Sequence, residues 1–266
     1  MKAQNNPAGR LGSILKAANS MNDKSVAAKV AWAEILETAL DNIPLLLRRL
    51  GQVMELPEVV RQQIMRQKDI DQEVYLKWLP KVQRAFGNTN LKAPLSTFTD
   101  PIDEAALDGL DFCADLLSRK MPEKILDKGV LKSIYDDTNK LIEDIVGSDI
   151  DKDLKIFMLE KLDQVISAIK EYKIKGANPV EKVVESTYGA IVMHENIYKK
   201  TKDTKHGSDF WKILSRVAVV VGITVGSIQI GESIINLLPD TSTDAIEVNI
   251  VEKTDTEPEI KPELNE

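Results

Sequence analysis

The chain has 266 residues, 29% charged and 43% apolar, the balance of a folded body rather than of a disordered chain. Nine acids against Lys253 and Lys261 in residues 240–266 account for the whole net charge of -7, so residues 1–239 are neutral and offer no basic face for nucleic acid. The one cysteine, Cys113, excludes an intramolecular disulfide and any multi-cysteine metal or iron–sulfur centre.

Apolar residues recur at helical steps nearly throughout, which predicts an all-α fold, a multi-helix bundle of helical hairpins. Residues 1–24 hold only Leu11 and Ile14-Leu15 as apolar fragments. They read as a loose N-terminal arm without the apolar region of a secretory signal, so the body is expected in the cytoplasm. A helical body follows over 25–199. Its first helix, 26–50, would turn Val26, Val30, Ile35, Leu36, Ala39, Leu40, Ile43 and Leu46 or Leu47 inward, with a kink at Pro44.

Shorter helices are expected near 57–67 and 72–86, and the Gly-, Asn- and Pro-bearing stretch 88–99 marks a subdivision of the body. Asp100-Pro101 offers an N-cap and a first-turn proline for a helix to about Ser118. Further helices are predicted over 130–146, over 151–175 with Gly176 as its stop, and from Asn178-Pro179 to about Lys199.

Over residues 151–191 a long helix ends in Tyr-x-Ile-x-Gly and is followed by a helix with a late glycine. Leu154, Leu159, Leu162, Ile169, Tyr172, Ile174, Gly176 and Gly189 carry this pattern. The stretch resembles a segment of uncharacterised bacterial helical proteins. The resemblance implies a bacterial origin and a helical fold, with no activity attached.

A basic hinge, 200–209, leads to an apolar helix over 210–239, and residues 240–266 read as a disordered acidic tail. Residues 217–231 carry no charge. Alone they reach ~22 Å as a helix, and from Trp211 about 31 Å, against a hydrocarbon layer of about 30 Å. Trp211, Lys212 and Arg216 would then sit at the membrane interface. Lys199, Lys200, Lys202 and Lys205 before the run, and only acids after it, orient the body to the cytoplasm. The expected location is the inner membrane, the alternative the cytoplasm. Ser215, Gly222, Gln229 and Asn236 recur every seven residues, and Ala218, Gly222 and Gly226 make a small-x-x-x-small run. Ser215, Ala218, Gly222, Gly226, Gln229 and Glu232 are therefore the predicted helix–helix contact of a homo-oligomer.

No catalytic, cofactor-binding or metal-binding set is expected. His194-Glu195 begins like a zinc-protease motif, but Tyr198 stands where its second histidine belongs, and His206 lies in the hinge. Asp149, Asp151, Asp153 and Glu160 imitate a calcium loop, yet Leu154 occupies the place that requires glycine. Asp100, Glu104, Asp108, Asp111 and Asp115 form an acidic stripe read as a solvated face, and Cys113 as a buried thiol. The function expected is a non-enzymatic, membrane-anchored helical module that self-associates and holds or senses a protein partner. Two alternatives are a membrane-perturbing effector of a toxin or phage-defence system, and a soluble immunity- or antitoxin-like regulator that buries the apolar helix in its own core.

Overall fold

In the computed structural model, which describes residues 6–88, 90–193, 199–201 and 204–223, every regular element is a helix, and the described residues contain no strand. The chain opens on α1, Pro7–Asn19, where the sequence predicts a loose arm. The Asn6 side chain accepts a hydrogen bond from Gly9 N at 3.0 Å, and Pro7 supplies the φ of a first turn. Ala8, Leu11, Ile14, Leu15 and Ala18 fall on one face and are buried. Burying the three large side chains contributes on the order of 1.5–3 kcal/mol each. Asn6 Nδ2 also donates to Ala114 O (2.8 Å) and Ser118 Oγ (2.9 Å), tying the cap to a helix a hundred residues on.

The predicted helix 26–50 is two elements. α2, Ala28–Ile35, ends before Glu37, which sits at φ 55, and α3, Ile43–Met65, begins anew with Asn42 as N-cap and Pro44 in its first turn. Pro44 therefore starts a helix instead of kinking one, and Leu40 and Leu47 are exposed as a result. The expected helix near 57–67 is the second half of α3, which carries Pro57 inside it. The reading of 72–86 as one helix also divides, into α4, Gln72–Tyr75, and α5, Leu79–Phe86, with Pro80 in the first turn of the latter.

The proposed subdivision at 88–99 is a packed return. Ala28 N donates to Ala93 O (2.8 Å) and Leu95 N to Val26 O (2.9 Å), Leu95 is fully buried, and Phe98 of α6, Ser96–Thr99, meets Trp32 edge-on at 5.9 Å. Asp100 closes α6. It is Asp103 that caps α7, Glu104–Lys120, by accepting from Ala106 N at 3.0 Å. One apolar core joins α1, α2, α3, α5 and α7 to Ile174.

The second half was the more legible. α8, Lys128–Val146, α9, Lys152–Lys175, and α10, Asn178–Met193, match the predicted helices at most of their ends. Asp151 caps α9 through Leu154 N (3.1 Å), and Gly176 ends it at φ 70, a left-handed position where a side chain would be strained and would strike Arg10. The last described helix is α11, Lys205–Val220. All described residues belong to one compact unit.

Candidate functional site

The stretch to be judged is α11 and the point where the chain leaves it. Thr204 caps the helix by accepting from Gly207 N at 3.0 Å, and Phe210, Trp211, Ile213, Leu214, Val217 and Ala218 form a buried face. Phe210 packs on Phe157 of α9 (6.1 Å) and on Trp211 (5.3 Å), and Trp211 on Tyr188 of α10 (6.1 Å). The Trp211 indole donates to Thr201 Oγ1 at 3.0 Å. Burial pushes the Tyr188 phenol upward in pKa, against a smaller lowering by its hydrogen bond with Ser215.

These contacts correct the sequence reading residue by residue. Trp211, expected at a membrane interface, is 6% exposed inside the bundle. Lys212 pairs with Asp209 at 2.9 Å, and Arg216 pairs with Asp137 and donates to Ser133 Oγ (2.9 Å), both on α8. Ser215 and Ala218, two members of the predicted intermolecular stripe, face the protein's own α10 and core. Gly222 is not within a helix at all. It lies beyond the α11 terminus at φ 66, with Gly222 N donating to Val219 O (2.9 Å) and Ile223 N to Ala218 O (2.9 Å). A left-handed glycine here closes the open carbonyls of the last turn. Gly226, Gln229 and Glu232, with the rest of the predicted helix 210–239 and the acidic tail, lie outside the described residues.

The helix directions follow from four contacts. Leu126 N, just ahead of α8, donates to Tyr172 OH near the end of α9 (2.9 Å), and Lys155 Nζ near the start of α9 donates to Val146 O at the end of α8 (2.8 Å). Lys124 Nζ donates to Val221 O and lies 3.8 Å from Glu181 in the first turn of α10. Helices α8 to α11 thus run alternately up and down. The start of α8, the end of α9, the start of α10 and the end of α11 share one end of the bundle, which is where the chain departs.

Of the basic residues expected beside a membrane run, Lys200 and Lys205 are at the other end. Lys200 pairs with Asp151 at the start of α9 (3.0 Å), and a Cβ on Gly207 would overlap the Thr201 carbonyl, so Thr201 and Gly207 are in close contact. Helix α11, 16 residues long, separates this end from the exit by ~24 Å.

The remaining candidates are accounted for by local contacts. Cys113 is buried, accepts from Trp78 Nε1 (3.3 Å) and donates to Tyr75 O (3.2 Å), and burial raises its pKa to about 11. Asp151 is held below its ordinary pKa by Lys200 and by the Leu154 amide. Of the acidic stripe, Asp111 binds Lys16 (2.5 Å) and Asp115 binds Arg119 (2.5 Å). Among the described residues no group of three or more acids, histidines or cysteines could hold a metal ion. His194 falls outside them. Among them, too, no helix is long and apolar enough to cross a membrane.

Sequence reading missed two buried cations that stitch helix ends together. Arg10 Nε donates to Ile174 O (2.9 Å) while its Nη1 meets Glu123 (2.5 Å), and Arg49 Nη1 donates to Leu36 O (2.5 Å) and Glu37 O (3.0 Å). A guanidinium buried by its stem looks in sequence like any surface arginine. No protein-family model, curated protein or solved structure matches the chain.

Proposed function

We propose that the protein is a helical protein-interaction module attached to a membrane by the segment 223–238, the body remaining outside the lipid. The observation that carries this reading is the fixed end of α11 at Gly222: the aromatic contacts of Phe210 and Trp211 hold the helix in the body, so an apolar sequence leaves from one defined point. The anchor is shorter than the sequence reading made it. With 211–221 committed to the bundle, the uncharged run from Gly222 to Gly231 would cover ~15 Å as a helix, half the hydrocarbon thickness. Continued to Leu238 it would cover ~26 Å and carry Glu232. That length supports an interfacial attachment over a transmembrane one. Self-association through Gly226, Gln229 and Glu232, and a bacterial inner-membrane location with the body in the cytoplasm, belong to the same proposal.

A second reading has its own observation. Phe210, Trp211, Ile213, Leu214, Val217, Ala218 and Val221 of the predicted membrane helix are already core, so a soluble regulator that buries the rest of the segment against itself or a partner continues a pattern the body has begun. Fractionation decides between them. Full-length protein is expected in the membrane pellet, retained through a high-salt wash and released by detergent, while a chain ending at Ile223 is expected in the supernatant with an unchanged melting temperature. Full-length protein that stays monomeric in the supernatant refutes attachment and favours the soluble regulator.

A further inference from the structure

The end of the bundle from which the chain departs has a surface of its own. Ile125, in the loop between α7 and α8, is 73% exposed, and Val219, in the last turn of α11, is 75% exposed. No other large apolar side chain among the described residues is as open except Met193. Val130, in the first turn of α8, is exposed beside them in sequence and end. Other large apolar side chains stand open singly along the body, Phe112 and Ile156 among them, whereas Ile125 and Val219 are both open at the one end from which an apolar segment departs.

The same end carries lysines and acids in equal measure, and the lysines of α8 stand in solvent. Lys124, Lys128 and Lys132 are exposed on the loop and the first turns of α8, with Lys175 closing α9 and Lys182 in α10. Five of the acids there are engaged: Glu123 by Arg10, Asp127 as the cap of α8 through Val130 N (2.8 Å), Glu181 by Lys124, Asp137 by Arg216 and Glu171 by Lys175 (3.3 Å), while Asp136 and Glu185 are exposed. From this end emerge residues 223–238, whose only charge is Glu232.

We infer that this end of the body, with Ile125 and Val219 as apolar contacts and Lys124, Lys128 and Lys132 as cationic ones, lies against an anionic lipid surface. The inference rests on the attachment proposed above and adds its orientation: the helices α8 to α11 stand end-on to the lipid, with Lys200 and Lys205 held away from it. The length of chain beyond the exit is what selects lipid over a second copy. An apolar segment leaving at this point brings the same end to whatever surface it enters, and exposed lysines lower the energy of that approach when the surface is anionic.

The test uses the full chain carrying one environment-sensitive fluorophore at Ile125→Cys, Val219→Cys or Ile156→Cys. The native Cys113 is buried and stays unlabelled. Ile156 is an exposed position about 24 Å along α9 from Tyr172 and serves as the distal control. On adding vesicles that contain phosphatidylglycerol, the labels at 125 and 219 are expected to shift to the blue and the label at 156 to stay unchanged. Replacing Lys128→Gln and Lys132→Gln together is expected to weaken binding to these vesicles on the order of thirtyfold, about fivefold per charge, and to leave binding to phosphatidylcholine vesicles as it was. Vesicle binding with unshifted labels at 125 and 219, or with an equal shift at 156, overturns the orientation while leaving attachment intact. An unchanged affinity of the double lysine variant overturns the anionic surface. Failure to bind either vesicle type overturns both the orientation and the attachment.

Discussion

Replacing Trp211→Ala separates a core tryptophan from an interfacial one. At an interface the ring would contribute to lipid contact and almost nothing to the stability of the body. In the structure it is 6% exposed, meets Phe210 at 5.3 Å and Tyr188 at 6.1 Å, and donates to Thr201. Removing a buried tryptophan costs about 3–5 kcal/mol, the lost transfer energy plus the cavity left behind. Total stabilities run about 5–15 kcal/mol, so this is a large fraction of what holds the fold. At 2–4 °C per kcal/mol for a body of this size, the melting temperature should fall by roughly 6–20 °C. Trp211→Phe keeps one ring but loses the donor and part of the buried volume, so its cost should fall between that of the lost hydrogen bond, about 1 kcal/mol, and that of the alanine variant. The assay is thermal unfolding of the full chain followed by far-ultraviolet circular dichroism, with Lys212→Ala as a surface control. A Trp211→Ala shift within about 2 °C of that control would refute the packed position of α11.

Leu11→Ala should cost about 2–5 kcal/mol in a denaturant titration, where a loose arm would give none. Gly207→Ala puts a methyl into the Thr201 carbonyl and should detach the start of α11, read as faster amide exchange there, whereas Gly189→Ala has open space on a helix and should stabilise by about 0.5–1 kcal/mol. Cys113, with its pKa near 11, should resist a chromogenic disulfide at pH 8 in the native protein and react at once after denaturation. Its neutral thiol stabilises the fold fully below the ordinary thiol value of 9.0, and that stabilisation is lost as pH rises through about 11.

How far the sequence foretold this depends on what kind of signal each element carries. Helix α9 announced itself because Leu154, Met158, Leu162, Val165 and Ile169 repeat over about four turns with an aspartate cap and a glycine stop. Helix α1 did not, because Leu11, Ile14 and Leu15 are a face of three residues whose value lies in the α7 surface that receives them. The break between α2 and α3 rests on Glu37 at a positive φ and on Arg49 of α3 and Lys173 of α9, which donate to the Leu36 and Ile35 carbonyls at the end of α2, a tertiary arrangement with no local trace. At the candidate site, the uncharged run was legible as unusual, but its partition was not. Val217 and Ala218 are core, Val219 is open, and Gly222 ends the helix, though all four read as one apolar stripe. Periodicity within a helix cannot say whether its partner is lipid, another chain or the next helix of the same body.

The clasp of Arg10 on the Ile174 carbonyl sets an order of events during synthesis. Helix α1 is made first, yet the residues that hold it arrive late: Ala114 and Ser118 at its cap, Glu123 on its guanidinium, and Ile174 at the far end of α9. A nascent chain that ends before α7 exposes Leu11, Ile14 and Leu15 without the surface that receives them, and closure of such distant pairs is slow compared with growth of any single helix. Helix α1 is thus locked in place in two steps, first on α7 and then at the end of α9. A ribosome stalled before α7 emerges would display a protease-sensitive N-terminal segment, and its protection should become complete only as Ile174 emerges.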